Sequence, residues 1–266
     1  FVVRRTARPI ADLAGQARRL ADDLSAPDLP ATNGPREIQD LTAAFNHMKE
    51  RIAALVAERT RLVAAVTHDL RTYLTRLRLR SEFIADDDQR ARAERDIAEM
   101  SALVDDTLLF AAADQGGGRE TAATDIAAET ARFVALRRET GDPVMLSETP
   151  PGPLMAAIDT VAFQRLLANL ADNAIRYGKT ARLALAASGA TAVLTVDDDG
   201  PGVPEAELKR ITEPFARLEP SRGRASGGAG LGLAIVSALA AAYGGALSLA
   251  NRPGGGLSAR ITLKRV

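Results

Sequence analysis

His68 sits in the stretch Thr67-His68-Asp69-Leu70-Arg71-Thr72-Tyr73-Leu74-Thr75-Arg76-Leu77, with Asp69 beside it and Thr72 one helical turn further along the same face. An imidazole standing in water on a rigid helix is not needed for packing, so it is a candidate for chemistry. A second set of chemically capable residues lies in the C-terminal half. Asn169 and Asn173 are four apart on one helix face, where two amides could orient a hydrated Mg2+, a cation that prefers oxygen ligands and keeps several waters. Val196-Asp197-Asp198-Asp199-Gly200-Pro201-Gly202 reads as a strand running into a glycine-rich turn, which lets a base slide against bare backbone. Asp198, two residues before the first glycine, could accept a hydrogen bond from the amino group of adenine. Glu213-Pro214-Phe215-Ala216-Arg217 opens a polar loop rich in Gly, Ser and Arg that extends to Gly228, a length that marks a lid or a disordered segment. Gly227-Gly228-Ala229-Gly230-Leu231-Gly232 then leads into an apolar helix, whose free amides and positive dipole end make a phosphate cradle. This run lacks the Lys-Ser/Thr of a P-loop and does not follow a strand, which disfavours P-loop and Rossmann folds.

The elements that must position these residues are legible from periodicity. Val56, Val63, Leu70, Leu77 and Ile84 recur every seven positions, the period of a helix buried along one seam against partner helices, and His68 falls two residues before a seam position, pointing outward. Asp86-Asp87-Asp88 predicts the turn of a hairpin, because short carboxylates suit helix ends. Ile97, Met100, Val104, Leu108 and Ala111 supply the apolar face of a returning helix that reaches about Ala113. Upstream, Ile10, Leu13, Ala17, Leu20 and Leu24 form one coiled-coil stripe, and Ile38, Leu41, Phe45, Met48, Ile52 and Leu55 form another. The proline-rich connector Ser25 to Pro35 separates them. Consecutive steps of four at Leu62, Val66 and Leu70 make a stutter that locally unwinds a coiled coil just above His68.

Downstream of a flexible linker at Gln115-Gly116-Gly117-Gly118, the pattern becomes mixed. Strands are predicted at 144–146, 154–158, 181–187, 192–196, 246–250 and 258–263, and helices at 125–138, 160–177 and 231–243. Strands with helices on one face give a two-layer α/β sandwich.

Composition narrows the function classes. Lys+Arg and Asp+Glu are both 34, so nothing points to a nucleic-acid surface. Cysteine is absent, which excludes disulfides and thiol chemistry. No run of about 18 apolar residues exists, but Phe1-Val2-Val3-Arg4-Arg5 reads like the cytoplasmic end of a transmembrane helix, so the chain is expected to be a soluble fragment of a membrane protein.

The stretch from His68 resembles the phosphoacceptor box of sensor histidine kinases, His-Glu/Asp-Leu-Arg-Thr-Pro-Leu, with Tyr73 standing where that family has proline. The four C-terminal clusters, in this order, resemble the N, first glycine, F and second glycine boxes of the Bergerat ATP-binding fold. Arg8-Pro9-Ile10 and Glu37-Ile38 resemble the helix starts of a HAMP domain, and Phe45 to Met48 with His68 to Leu79 look closest to EnvZ-like osmosensing kinases. The resemblance implies a multidomain α and α+β chain. Residues 1–56 would be a parallel coiled-coil HAMP unit, 57–114 a phosphoacceptor hairpin forming a dimeric four-helix bundle, 115–120 a linker and 121–266 the ATP-binding sandwich.

It further implies that Asn173 ligates Mg2+, that Asn169 helps to position the metal and the phosphates, and that Asp198 binds adenine. Arg176, Tyr177 and Lys179 would line the nucleotide, together with Gly200, Gly202, Phe215, Arg217, Gly228, Gly230, Leu231 and Gly232. His68 would be phosphorylated by ATP with Asp69 as its base, and the phosphoryl group would pass to an aspartate on the receiver domain of an OmpR-like response regulator docked near Arg71, Thr75 and Arg78. Thr72 would orient the water that dephosphorylates that regulator. The expected state is a homodimer, in the cytoplasmic part of a bacterial inner-membrane protein. Two other readings stay open: a phosphatase-biased, kinase-weak variant suggested by Tyr73, and a chaperone-type ATPase that hydrolyses ATP without labelling His68.

Overall fold

The computed structural model describes residues 28–29, 35–113, 122–216 and 230–266. The predicted helix through Ile10 to Leu24, the linker at 115–120 and the loop residues Arg217 and Gly228 lie outside the described residues. No helix among the described residues is long and apolar enough to cross a membrane.

Helix α1 (Arg36–Ser81) begins directly after Pro35, which cannot continue a helix backwards. It runs unbroken for 46 residues, through the predicted stutter and through Tyr73. Near its start the Asn46 side chain holds both backbone groups of Leu29, accepting from its N–H and donating to its C=O, each at 3.1 Å. Lys49 reaches Asp28 at 2.6 Å. After a short turn, Asp86 caps the next helix by accepting from the amide of Gln89 at 3.0 Å, as the acidic run predicts. Helix α2 (Asp87–Ala113) then returns along α1.

The seam inside this hairpin runs along a second line of α1, beside the heptad seam expected to meet partner helices. Leu74, Ile97 and Val104 form its buried cluster, and Thr67 and Ser81 are buried on the same line of α1. Their hydroxyls donate to the carbonyls of Val63 and Arg78, both at 2.7 Å, which allows polar side chains into the seam. Leu70 and Leu77, expected to be buried by partner helices, are 43% and 44% exposed on a single copy, and Met100 on α2 is 53% exposed. The apolar positions thus divide: one line meets the hairpin's own second helix, and the other stays exposed on a single copy.

The C-terminal unit is a five-stranded sheet of order β2-β4-β5-β7-β6, built from β2 (Val144–Glu148), β4 (Ala181–Ser188), β5 (Thr191–Asp197), β6 (Ala246–Asn251) and β7 (Leu257–Lys264). Only the β2–β4 pair is parallel. A separate antiparallel pair joins β1 (Ala123–Asp125) to β3 (Met155–Ala157). Three-residue β1 escapes detection because so short a segment shows no alternation. Alternate residues Ala181, Leu183 and Leu185, Ala192, Leu194 and Val196, and Ala259, Ile261 and Leu263 are buried on one face. That face is covered by α3 (Ile126–Glu139), α4 (Thr160–Gly178) and α5 (Gly232–Ala242). Helix α4 presents Ala162, Phe163, Leu166, Leu167, Leu170, Ala171 and Ala174 to this core, a three-four spacing that leaves its remaining side for Asn169 and Asn173. The outcome is the predicted two-layer α/β sandwich.

Candidate functional site

Helix α4, the turn after β5 and the start of α5 converge beside one another. The Asn169 amide nitrogen donates to the carbonyl of Arg165 at 3.0 Å, which turns its oxygen toward α5. A Cβ on Gly232 would lie 3.1 Å from that oxygen, so a side chain there would crowd it. Helix α5 begins at Gly232 with no side-chain cap, leaving its first amides available to an anion. Gly230, just before, adopts φ 73°, and its carbonyl accepts from the amide of Phe215 at 3.0 Å. Phe215 is 66% exposed and has φ 63°, a conformation that costs a bulky residue energy and persists only where its surroundings hold it. The Phe215–Gly230 bond thus joins the segment after the second short 3-10 turn to the start of α5.

The three consecutive aspartates separate by environment. Asp198 is only 4% exposed, and one of its carboxylate oxygens accepts from the amides of Gly200 at 2.8 Å and Leu257 at 3.1 Å. Asp199 turns outward to Arg182, which forks onto it with one nitrogen at 2.6 Å, and to Thr180 at 2.8 Å. These donors, Arg182 first and then Thr180, hold the Asp199 carboxyl well below the ordinary carboxylate range. Asp197 lies 3.4 Å from the Arg252 guanidinium.

The glycines of this turn matter for close approach between protein segments as much as for bare backbone toward a base. A Cβ on Gly200 would stand 2.7 Å from the Tyr177 carbonyl oxygen, and one on Gly202 would stand 2.8 Å from the Asn251 side-chain oxygen. Two further glycines were missed by reading the sequence. A Cβ on Gly178 would meet the Cβ of Asp198 at 2.4 Å, and one on Gly256 would meet the Asp198 carbonyl oxygen at 2.0 Å. Asn251 was also missed: its side chain accepts from the Val203 amide at 2.8 Å and donates to the Val203 carbonyl at 2.6 Å, fastening the loop as a paired strand would. No local signal marks these residues, because each acts on a partner distant in sequence. Arg176, Tyr177 and Lys179 close α4 as exposed residues, Lys179 in the left-handed conformation at φ 61°. Asn173 is half-buried on the same helix.

Among the described residues no group of three or more His, Cys, Asp or Glu could hold a metal ion. The Asn169 and Asn173 amides on one side of α4 could, with ligand oxygens, offer a donor set that suits Mg2+.

His68 lies apart, on the exposed side of α1, with its side chain 80% exposed and Nδ1 3.5 Å from Asp69 Oδ1. The Thr72 hydroxyl donates to the His68 carbonyl at 3.3 Å. No hydrogen bond or ion pair among the described residues links His68 to the cluster around Asp198. Arg71, expected near the docking face together with Thr75 and Arg78, is exposed as they are and also forks onto Asp105 of α2 at 3.0 and 2.7 Å. The hairpin meets the C-terminal unit where Arg165 of α4 faces Asp105 at 3.9 Å and Asp106 at 3.8 Å. Burial pushes the Asp106 carboxyl up, against the pull of Arg165.

Comparisons with known proteins agree with this architecture. The family of histidine kinase-, DNA gyrase B- and HSP90-like ATPases matches residues 158–266. The His Kinase A (phospho-acceptor) domain matches 58–116, and the HAMP domain matches 1–54. Sensor histidine kinase GtrS of Pseudomonas aeruginosa is 38% identical over 272 residues, which is 97% of this chain and 53% of that protein. Sensor protein RstB of Escherichia coli is 38% identical over 214 residues, 78% of this chain and 49% of that protein. Full-length ShkA in complex with AMPPNP superposes with a TM-score of 0.63 at 26% identity, covering 77% of this chain and 46% of that one. The histidine kinase AdeS of Acinetobacter baumannii, with a TM-score of 0.55 at 23% identity over 74% of this chain and 97% of its own, shares the fold. The chain spans about half the length of the curated relatives it matches.

Proposed function

This chain belongs to the sensor histidine kinases, and on that premise we propose that it uses ATP to phosphorylate His68 and then passes the phosphoryl group to an aspartate of a response regulator. The observation that carries the nucleotide half of this reading is the uncapped start of α5 set against Asn169, with Asp198 buried in the adjoining turn. Triphosphate charge is met by the free amides of α5, and the base is met by Asp198. Asn173, with Asn169 beside it, would hold Mg2+, which neutralises charge on the phosphates and favours in-line geometry. A ring nitrogen of His68 attacks the γ-phosphorus, the new N–P bond replaces the bond to the β-γ bridging oxygen, and ADP leaves. Asp69 steadies the imidazole from its other nitrogen; the 3.5 Å separation is of the loose kind common before substrate arrives.

The hydroxyl of Thr72 is one turn from His68 and would orient a water against the phosphorylated regulator, so a regulator phosphatase activity is part of the proposal. The domain limits proposed are 1–56, 57–114, 115–120 and 121–266, with the partner an OmpR-like receiver domain and the site cytoplasmic, beside a membrane anchor. The kinase-weak alternative has one observation in its favour, the unbroken path of α1 through Tyr73.

The test is labelling with γ-radiolabelled ATP. A kinase yields acid-labile, base-stable phosphate on the protein, and His68→Gln should abolish it while ATP affinity stays unchanged. ATP turnover without label on the parent chain would favour the chaperone-type reading instead.

A further inference from the structure

We infer that Arg252 is the positioning residue that holds Asp198 in place to read the base, so that the nucleotide preference of this site is set from the β6–β7 hairpin. The inference rests on the reading of Asp198 as the acceptor for adenine.

Three adjacent carboxylates repel one another, and a turn that carries them must be neutralised and held for the middle one to serve as an acceptor. Arg252 does both with one planar fork. One of its terminal nitrogens donates to the Asp198 carbonyl at 2.6 Å and lies 3.2 Å from an Asp199 carboxylate oxygen. Its Nε lies 3.4 Å from Asp197. It thus contacts all three aspartates, whereas Arg182 engages Asp199.

The hairpin that carries Arg252 is itself locked onto Asp198. The Asp198 amide donates to the Leu257 carbonyl at 3.0 Å, and the Leu257 amide returns a bond to the Asp198 carboxylate at 3.1 Å. The Arg252 amide closes the hairpin turn onto the Gly256 carbonyl at 2.9 Å. Gly256, at φ 94°, lies so near the Asp198 carbonyl that no side chain fits between them. The Arg252 fork therefore sets the peptide plane from which the Asp198 side chain departs. Adenine offers an amino donor where guanine carries a carbonyl oxygen, so a correctly aimed carboxylate favours one base and repels the other.

The experiment measures ATP and GTP affinity by calorimetry on the whole chain, alongside thermal unfolding without nucleotide, for Arg252→Ala, Arg252→Lys, Arg182→Ala and Asp198→Asn. Arg252→Ala should weaken ATP by about tenfold, as for one misplaced hydrogen bond, while GTP changes less, so the ATP-to-GTP preference narrows. Arg252→Lys, which keeps the charge but reaches one partner at a time, should recover part of that preference. Arg182→Ala should leave it intact. Equal weakening of both nucleotides, or a lower melting temperature with the preference unchanged, would overturn the inference and leave Arg252 a structural residue. If Asp198→Asn itself keeps full ATP preference, the reading of Asp198 is what fails.

Discussion

Among Asp197, Asp198 and Asp199, side-chain direction alone decides which can serve as a buried acceptor, since successive residues of an extended segment point to opposite sides. Gly178 belongs to the same arrangement. Gly178→Ala should destabilise the chain by about 1–3 kcal/mol, the usual cost of forcing volume into a packed site, and should weaken ATP together with it. Thermal unfolding and a nucleotide titration check this, and an unchanged melting temperature would mean that α4 shifts freely. Tyr73 raises a different question. A proline inside a helix removes a backbone hydrogen bond at a cost of about 3 kcal/mol and makes bending easier. Tyr73 keeps α1 unbroken and is 59% exposed, with the Arg76 guanidinium 5.9 Å from its ring centre. On the hypothesis that bending lets the ATP domain reach His68, Tyr73→Pro should raise the initial rate of autophosphorylation. A rate that stays level or falls would sink the idea.

Strand β4, the turn after β5 and the β6–β7 hairpin are joined by an acid-sensitive cluster of Arg182, Arg252 and Asp199. Because the folded Asp199 carboxyl lies below its ordinary value of 3.8, the unfolded chain binds its proton first as pH falls. The stability this pairing contributes is therefore fully present above about pH 4 and is lost progressively below it. Asp199→Asn should flatten the decline in melting temperature between roughly pH 5 and pH 2 relative to the parent. Parallel curves for the two chains would show that the pairing, exposed as it is, adds nothing to stability. At the same scale the glycine run before α5 raises the expectation of a phosphate cradle from sequence alone, because free amides at the start of an apolar helix suit an anion. The β6–β7 hairpin was legible as a hairpin, but not as a support of the site, since its contacts cross more than fifty residues of chain.

In the molecule as a whole, α1 leaves Leu62, Val66, Leu70 and Leu77 between 43% and 63% exposed on a single copy. Fully burying such a side chain from water is worth about 1.5–3 kcal/mol and roughly half of that remains to be gained at each, so the chain is expected to be a homodimer through this face. A monomeric mass in light scattering at micromolar concentration would refute that. Asp106 makes a second point at this scale. Its charge is held unfavourably by burial where the hairpin meets the ATP domain, beside Arg165. Its folded pKa is raised, so the native state takes up a proton before the unfolded chain and gains stability as pH falls. Asp106→Asn should then match or exceed the parent's melting temperature at pH 7, with the gap closing toward acid pH.

The sequence by itself determined the elements and the chemistry that local pattern can carry. Heptads, caps, glycine runs and alternating strands are short-range signals, and with them came the hairpin around His68, the two-layer sandwich, the asparagine face of α4 and the uncapped start of α5. Only the tertiary structure decided how the heptad positions divide, with Thr67, Leu74 and Ser81 facing α2 while Leu70 and Leu77 stay outside. Periodicity reports that a face is apolar without saying which neighbour covers it. The structure likewise decided that Asp198 is the buried carboxylate, that Gly178 and Gly256 must lack side chains, and that Arg71 is held by Asp105. Each of these depends on two segments meeting in space, and the energy of such a meeting is written in neither segment alone.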